Sequence, residues 1–178
     1  MVKKMYVDGS MGQVHLREMG EGYPLILLHQ TAWSSVQFQR AMPILANYGF
    51  KCIAIDTPGY GMSDTNAESP SVDLYAESLN VVLDKINVRK PIILAHHTGA
   101  SIATKFAFLY PNKIKHFPVN LTYSSLDTLV GEVIDRSAVK NILKDLEINI
   151  EHATNDGLSL LVPPFRADVK REVDIIEE

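Results

Sequence analysis

The chain has 178 residues, 46% of them apolar and 21% charged, and a formal net charge of −4, which suits one good core or two small ones and excludes a disordered chain. Lysines and arginines are spread along it without the basic stripe that holds nucleic acid by charge alone. The lone Cys52 excludes a disulfide framework, and its apolar surroundings suit a reduced, buried thiol in the cytoplasm.

The N-terminal "MVKKMYVDGS" has too few apolar residues for a signal peptide, and no apolar run is long enough to cross a bilayer, so a soluble protein with no membrane partner is expected. Met5 to Val7 and Val14 to Arg17 read as an opening hairpin turning at Asp8-Gly9, because Asp-Gly readily takes positive φ. "PLILLHQ", Pro24 to Gln30, is a continuous apolar run and predicts a central strand covered on both faces. A helix should follow, capped by Ser34 or Ser35, with Val36, Phe38, Met42 and Leu45 as its apolar positions and Pro43 as its weak point.

"KCIAID", Lys51 to Asp56, predicts the next strand, and the glycine- and proline-punctuated "TPGYGMSD" the loop after it. Asp56 and Asp64 flank that loop as structural turn residues. Tyr75, Leu79, Val82, Leu83 and Ile86 then recur at helical spacing. "PIILAHHTGASIATKFAFLYP", Pro91 to Pro111, reads as a buried strand, a sharp turn and a buried helix. The alternation predicts a mostly parallel α/β sheet with helices on both faces.

"LLHQTAWSS", "IAIDTPGYGMSD" and "IILAHHTGASIATKFAFLYP", in this order over about Met5 to Phe117, resemble the N-terminal half of an α/β-hydrolase. The resemblance implies that Ala95-His96-His97-Thr98-Gly99 is the turn that presents a nucleophile between small flanking residues, with His97 at the nucleophile position. It also implies an oxyanion hole formed by the backbone N–H groups of Gln30 and Thr98. An ester-like small molecule is the implied substrate, and no cofactor is implied. The family's acid and base come from loops after later strands, and acyl transfer needs both. His29, at a strand end, is expected to orient its loop by hydrogen bonding.

After "NKIKHF" the periodicity changes, with Pro118 breaking the pattern. Ser137 is read as the cap of a helix with Val139, Ile142, Leu143 and Leu146 on one face. Asn155-Asp156-Gly157 is read as a hairpin turn and "LSLLVPPF" as the return strand, before a polar helix from about Asp168.

"VPPFRADVKREVDIIEE", within about Val119 to Glu178, resembles a small domain of the phenylalanyl-tRNA synthetase beta subunit. That resemblance implies magnesium held by Asp168, Asp174, Glu177 and Glu178, with the synthetase alpha subunit or tRNA as partners. Magnesium does prefer a few carboxylates plus waters.

The expectation is therefore a chimera joined near His116 to Asn120, with residues 1–117 a partial α/β-hydrolase-like unit and 118–178 a small α+β domain. The hydrolase-like unit should be catalytically impaired, and its unpaired sheet edge should favour self-association. The alternatives are a phenylalanyl-tRNA synthetase beta fragment active in aminoacylation and an inactive fusion.

Overall fold

A computed structural model of the protein describes residues 1–64, 71–163 and 169–177. The chain packs as two units, Met1–Lys115 and His116–Glu178.

In the first unit, β1 (Lys3–Gly9) and β2 (Gly12–Met19) form a hairpin that precedes β3 (Tyr23–Leu28), β4 (Phe50–Ile55) and β5 (Ile92–Ala95). These make one five-stranded sheet in the order β1-β2-β4-β3-β5. β3 runs parallel to β4 and β5, and β2 joins antiparallel to β4. The expected α/β sheet is present, with the hairpin as its antiparallel margin.

The continuous apolar runs follow from two-sided burial. Leu25, Leu27, Cys52 and Ala54 pack with Phe38 and Met42. Leu28 and Ile55, one position out of phase, lie with Leu79, Val82 and Ile102. Those partners come from α1 (Ala41–Asn47) and the turn before it on one face, and from α2 (Val72–Lys85) and α3 (Thr98–Leu109) on the other. α2 is capped by Ser71, whose hydroxyl accepts the Leu74 N–H at 3.2 Å, and it buries Leu79, Val82 and Leu83 as its stripe predicts. Among the described residues β5 has a strand neighbour on one side only, and its Leu94 is exposed.

Two local readings of this unit are corrected. The hairpin turns at Ser10-Met11, because Asp8 pairs with Gln13 and Gly9 with Gly12; Gly12, at φ 103°, takes the positive angle expected of Gly9. The helix expected from Ser34 or Ser35 divides into a single 3-10 turn, Ser35–Phe38, capped by Ser34, and α1. Pro43 falls in the first turn of α1, where no intrahelical amide is needed.

The second unit comprises β6 (Phe117–Thr122), α4 (Tyr123–Val130), α5 (Arg136–Asp145), β7 (Asn149–Ala153), β8 (Gly157–Val162) and α6 (Glu172–Ile176). Its antiparallel sheet has the order β6-β8-β7. The cross-strand pairs Val119–Leu160 and Leu121–Leu158 share a core with Leu126, Val139, Leu143 and Ile175.

Here too the structure refines the sequence reading. Pro118 does not interrupt β6; it pairs with Leu161 on an edge strand, the position where a missing amide is tolerated. Asp135, not Ser137, caps α5, its side chain accepting the N–H groups of Ser137 and Ala138 at 3.0 and 2.9 Å. Of the expected helix from Asp168, α6 begins at Glu172. Asp168, Pro164 and Phe165 lie outside the described residues, and α4 was not anticipated.

Candidate functional site

β5 ends at Ala95 and α3 begins at Thr98, so the chain reverses direction through His96 and His97. The His96 N–H bonds the Leu28 carbonyl at 3.0 Å, extending the ladder by one rung. The next residue, His97, sits at φ 52°, ψ −118°, a conformation that a residue with a Cβ adopts only under strain. Gly99 and Ala100 then donate to the carbonyls of His96 and His97 at 3.0 and 2.8 Å, starting the helix.

Gly99 is required by close approach. A Cβ there would stand 2.5 Å from the Leu28 oxygen and 2.8 Å from the His29 oxygen. The His97 side chain is exposed and, among the described residues, makes no hydrogen bond.

The loop after β3 faces this turn. The Gln30 N–H is engaged, at 3.3 Å, by the Gln37 side-chain oxygen, while Gln37 Nε2 donates to His96 Nδ1 at 3.0 Å. Gln37 thus links the two loops. The Thr31 N–H donates to Thr98 Oγ1, and the Thr31 hydroxyl lies 2.5 Å from the same oxygen. Gln30, His97 and Thr98 are therefore brought together at the carboxyl ends of β3 and β5, where open α/β sheets hold their ligands. Thr31 and Gln37 were missed by sequence reasoning, because nothing local distinguishes them from ordinary loop and turn residues.

His29 is a positioning group, as expected. Its Nε2 accepts the Thr57 N–H at 3.0 Å, so the proton is on Nδ1, which donates to the Gln30 carbonyl at 2.7 Å. With both nitrogens used, the ring pins the loop after β3 to the loop after β4. A small cavity of about 50 Å3 lies alongside, lined by His29, Thr31, Tyr60, Tyr75, Thr98 and other residues. Burial, reinforced by the Tyr60 phenol, raises the Tyr75 pKa above its ordinary value, keeping it neutral.

Asp56 organises the floor beneath these loops. It is 1% exposed, and its carboxylate accepts the N–H groups of Ser35 at 2.5 Å and Met62 at 2.9 Å and the His15 Nδ1 proton at 2.8 Å. Burial works to raise its pKa, but these donors together hold it below the usual carboxylate value. Asp64 ties the same loop to the hairpin, accepting the Gln13 N–H at 2.7 Å. Burial pushes the Cys52 thiol up, away from the reactive thiolate. Trp33 is exposed on an open groove with Gln37, Arg40 and His96.

In the second unit Asp174 is occupied by its own helix start. Oδ2 accepts the N–H groups of Lys170 and Arg171 at 3.0 and 2.8 Å, and Oδ1 pairs with the Arg171 guanidinium at 2.8 Å. Asp168 and Glu178 lie outside the described residues. Among the described residues no group of three or more His, Cys, Asp or Glu side chains is arranged to hold a metal. Asp174, saturated with donors and neutralised by Arg171, does not fit a cation ligand in this arrangement.

Residues 24–119 match the family described as serine aminopeptidase, S33, and residues 119–178 match the tRNA synthetase B5 domain. The phenylalanine–tRNA ligase beta subunit of Bacteroides thetaiotaomicron is 45% identical over 80 residues, covering 45% of this chain and 10% of that protein. A 2-hydroxy-6-oxononadienedioate/2-hydroxy-6-oxononatrienedioate hydrolase of Burkholderia vietnamiensis is 33% identical over 114 residues, covering 60% of this chain and 39% of that protein. Among solved structures, the epoxide hydrolase VrEH1 of Vigna radiata superposes with a TM-score of 0.62 at 22% identity, covering 66% of this chain and 39% of that one. This last likeness establishes fold alone. The chain spans about a tenth of the synthetase subunit and about two fifths of the hydrolase.

Proposed function

The chain belongs, through residues 24–119, to the serine aminopeptidase S33 family of α/β-hydrolases, and we propose that its first unit presents His97 at the nucleophile position and hydrolyses esters poorly. One observation carries this reading: His97 holds φ 52° on a strand-to-helix turn that Gly99 packs against the Leu28 carbonyl. A strained strand-to-helix turn is how α/β-hydrolases expose a nucleophile, and this supports the reading. The Thr98 N–H, at the start of α3, and the Gln30 N–H are donors for a developing oxyanion, and a bound carbonyl would replace the Gln37 oxygen on Gln30.

Chemistry at the turn is limited by what surrounds the imidazole. Among the described residues the His97 imidazole makes no hydrogen bond to a carboxylate or to a second histidine, the contacts that acyl transfer needs. The chain that follows matches a synthetase domain instead of continuing the hydrolase sheet. Hydrolysis of p-nitrophenyl acetate should therefore be slow, non-saturating and equal in the parent chain and His97→Ala. Saturable turnover abolished by the substitution would overturn this reading.

For the second unit a separate reading rests on its match to the B5 domain: it serves as a docking module for a synthetase alpha subunit or tRNA, without magnesium at Asp174. The Arg171 guanidinium, first among several donors, holds the Asp174 carboxyl down to about 2. With the folded value depressed, the stabilisation is full above the ordinary value of about 3.9 and is lost as pH falls toward the folded one. A carbon-detected NMR titration of Asp174 should give that low value, and millimolar magnesium should leave the Arg171 to Glu177 amide shifts unmoved. A saturable magnesium shift would reinstate the metal site.

A further inference from the structure

We infer that the open groove beside the loop after β3 binds a small aryl carboxylate, with Arg40 taking the charge and Trp33 and Val36 the apolar body. The groove has a volume of about 650 Å3, which suits a small molecule. Its apolar wall is left uncovered by the fold, with Trp33 54% and Val36 44% exposed. Arg40 is its one ionised lining residue, and among the described residues it has no ion pair.

One neighbouring polar group, His96, adds to the same preference. The Gln37 oxygen is turned to the Gln30 N–H, so its amide nitrogen faces His96. Because His96 Nδ1 accepts that bond, the neutral ring carries its proton on Nε2, as a donor. A guanidinium and an imidazole N–H beside an indole select a planar anion with a flat apolar part. The groove borders the proposed hydrolase site through Gln30, but the inference concerns binding and needs no chemistry at His97.

The chain has a single tryptophan, Trp33, so its fluorescence reports on the groove directly. Phenylacetate should change that fluorescence saturably and bind about fivefold tighter than the neutral phenylacetamide, the scale of one partly exposed ion pair. Arg40→Gln should erase the preference and Arg40→Lys keep part of it. Neither should disturb the fold, since the Arg40 side chain makes no capping hydrogen bond to α1, and unchanged circular dichroism checks this. A linear response to phenylacetate, equal affinity for acid and amide, or a preference that survives Arg40→Gln would each overturn the inference.

Discussion

Asp56→Ala should destabilise the first unit by about 3–5 kcal/mol, the scale of leaving several buried donors without the carboxylate that accepts them. The side chain collects the N–H groups of Ser35 and Met62 and the His15 ring proton, and truncation leaves all three donors facing a void. His15 is poorly placed to adapt, because its Nε2 is already buried and, among the described residues, has no hydrogen-bond partner. Asp56→Asn separates acceptor chemistry from packing: the amide fits the space but turns its NH2 toward a donor, so most of the loss should persist. The pH dependence follows from the depressed folded pKa. Stabilisation from Asp56 is full above about pH 4 and fades as pH falls through the folded value. Urea unfolding of the two variants and the parent, repeated at several pH values, measures both effects.

Gly99→Ala should cost about 3 kcal/mol, the upper end of the range for overpacking, because the added methyl meets main chain. The Leu28 and His29 oxygens would lie 2.5 and 2.8 Å away, and neither can swing aside as a side-chain tip would. α3 must lift from β3, and the turn at His97 moves with it. Gly49→Ala is the useful contrast: Gly49 has φ 84° but nothing within 4 Å of its missing Cβ. It should lose only about 1 kcal/mol, from backbone strain alone. Equal losses in the two variants, read by thermal unfolding, would mean that the close approach of α3 is not what holds the turn.

Features specified over short stretches were legible in the sequence. The apolar runs of β3 and β4 announced two-sided burial, the Tyr75 to Ile86 stripe announced α2, and Ala95-x-His97-x-Gly99 announced a tight turn. Features decided by distant partners were not. Asp8-Gly9 is a good turn by composition, yet pairing of Asp8 with Gln13 moves the reversal to Ser10-Met11. Pro118 reads as a breaker until its strand is seen to be an edge. Ser137 and Asp135 both suit a cap, and the structure gives that role to Asp135.

The candidate site divides in the same way. His97 and Thr98 are neighbours in sequence, but Gln37 reaches both Gln30 and His96 from the 3-10 turn. No local pattern encodes contacts of that span. The synthetase resemblance implied magnesium at Asp168, Asp174, Glu177 and Glu178, but no local pattern shows that Arg171 pairs with Asp174.

On the proposed reading, the first unit retains the architecture of a hydrolase turn without the partners that make it catalytic. The most direct measurement is p-nitrophenyl acetate hydrolysis by His97→Ser, compared with the parent chain and His97→Ala. A serine restores the nucleophile type, but position 97 has no hydrogen-bonded base among the described residues to take its proton. The account predicts that all three proteins give the same slow, non-saturating rate. Saturable turnover by His97→Ser, or by the parent chain and not by His97→Ala, would contradict it.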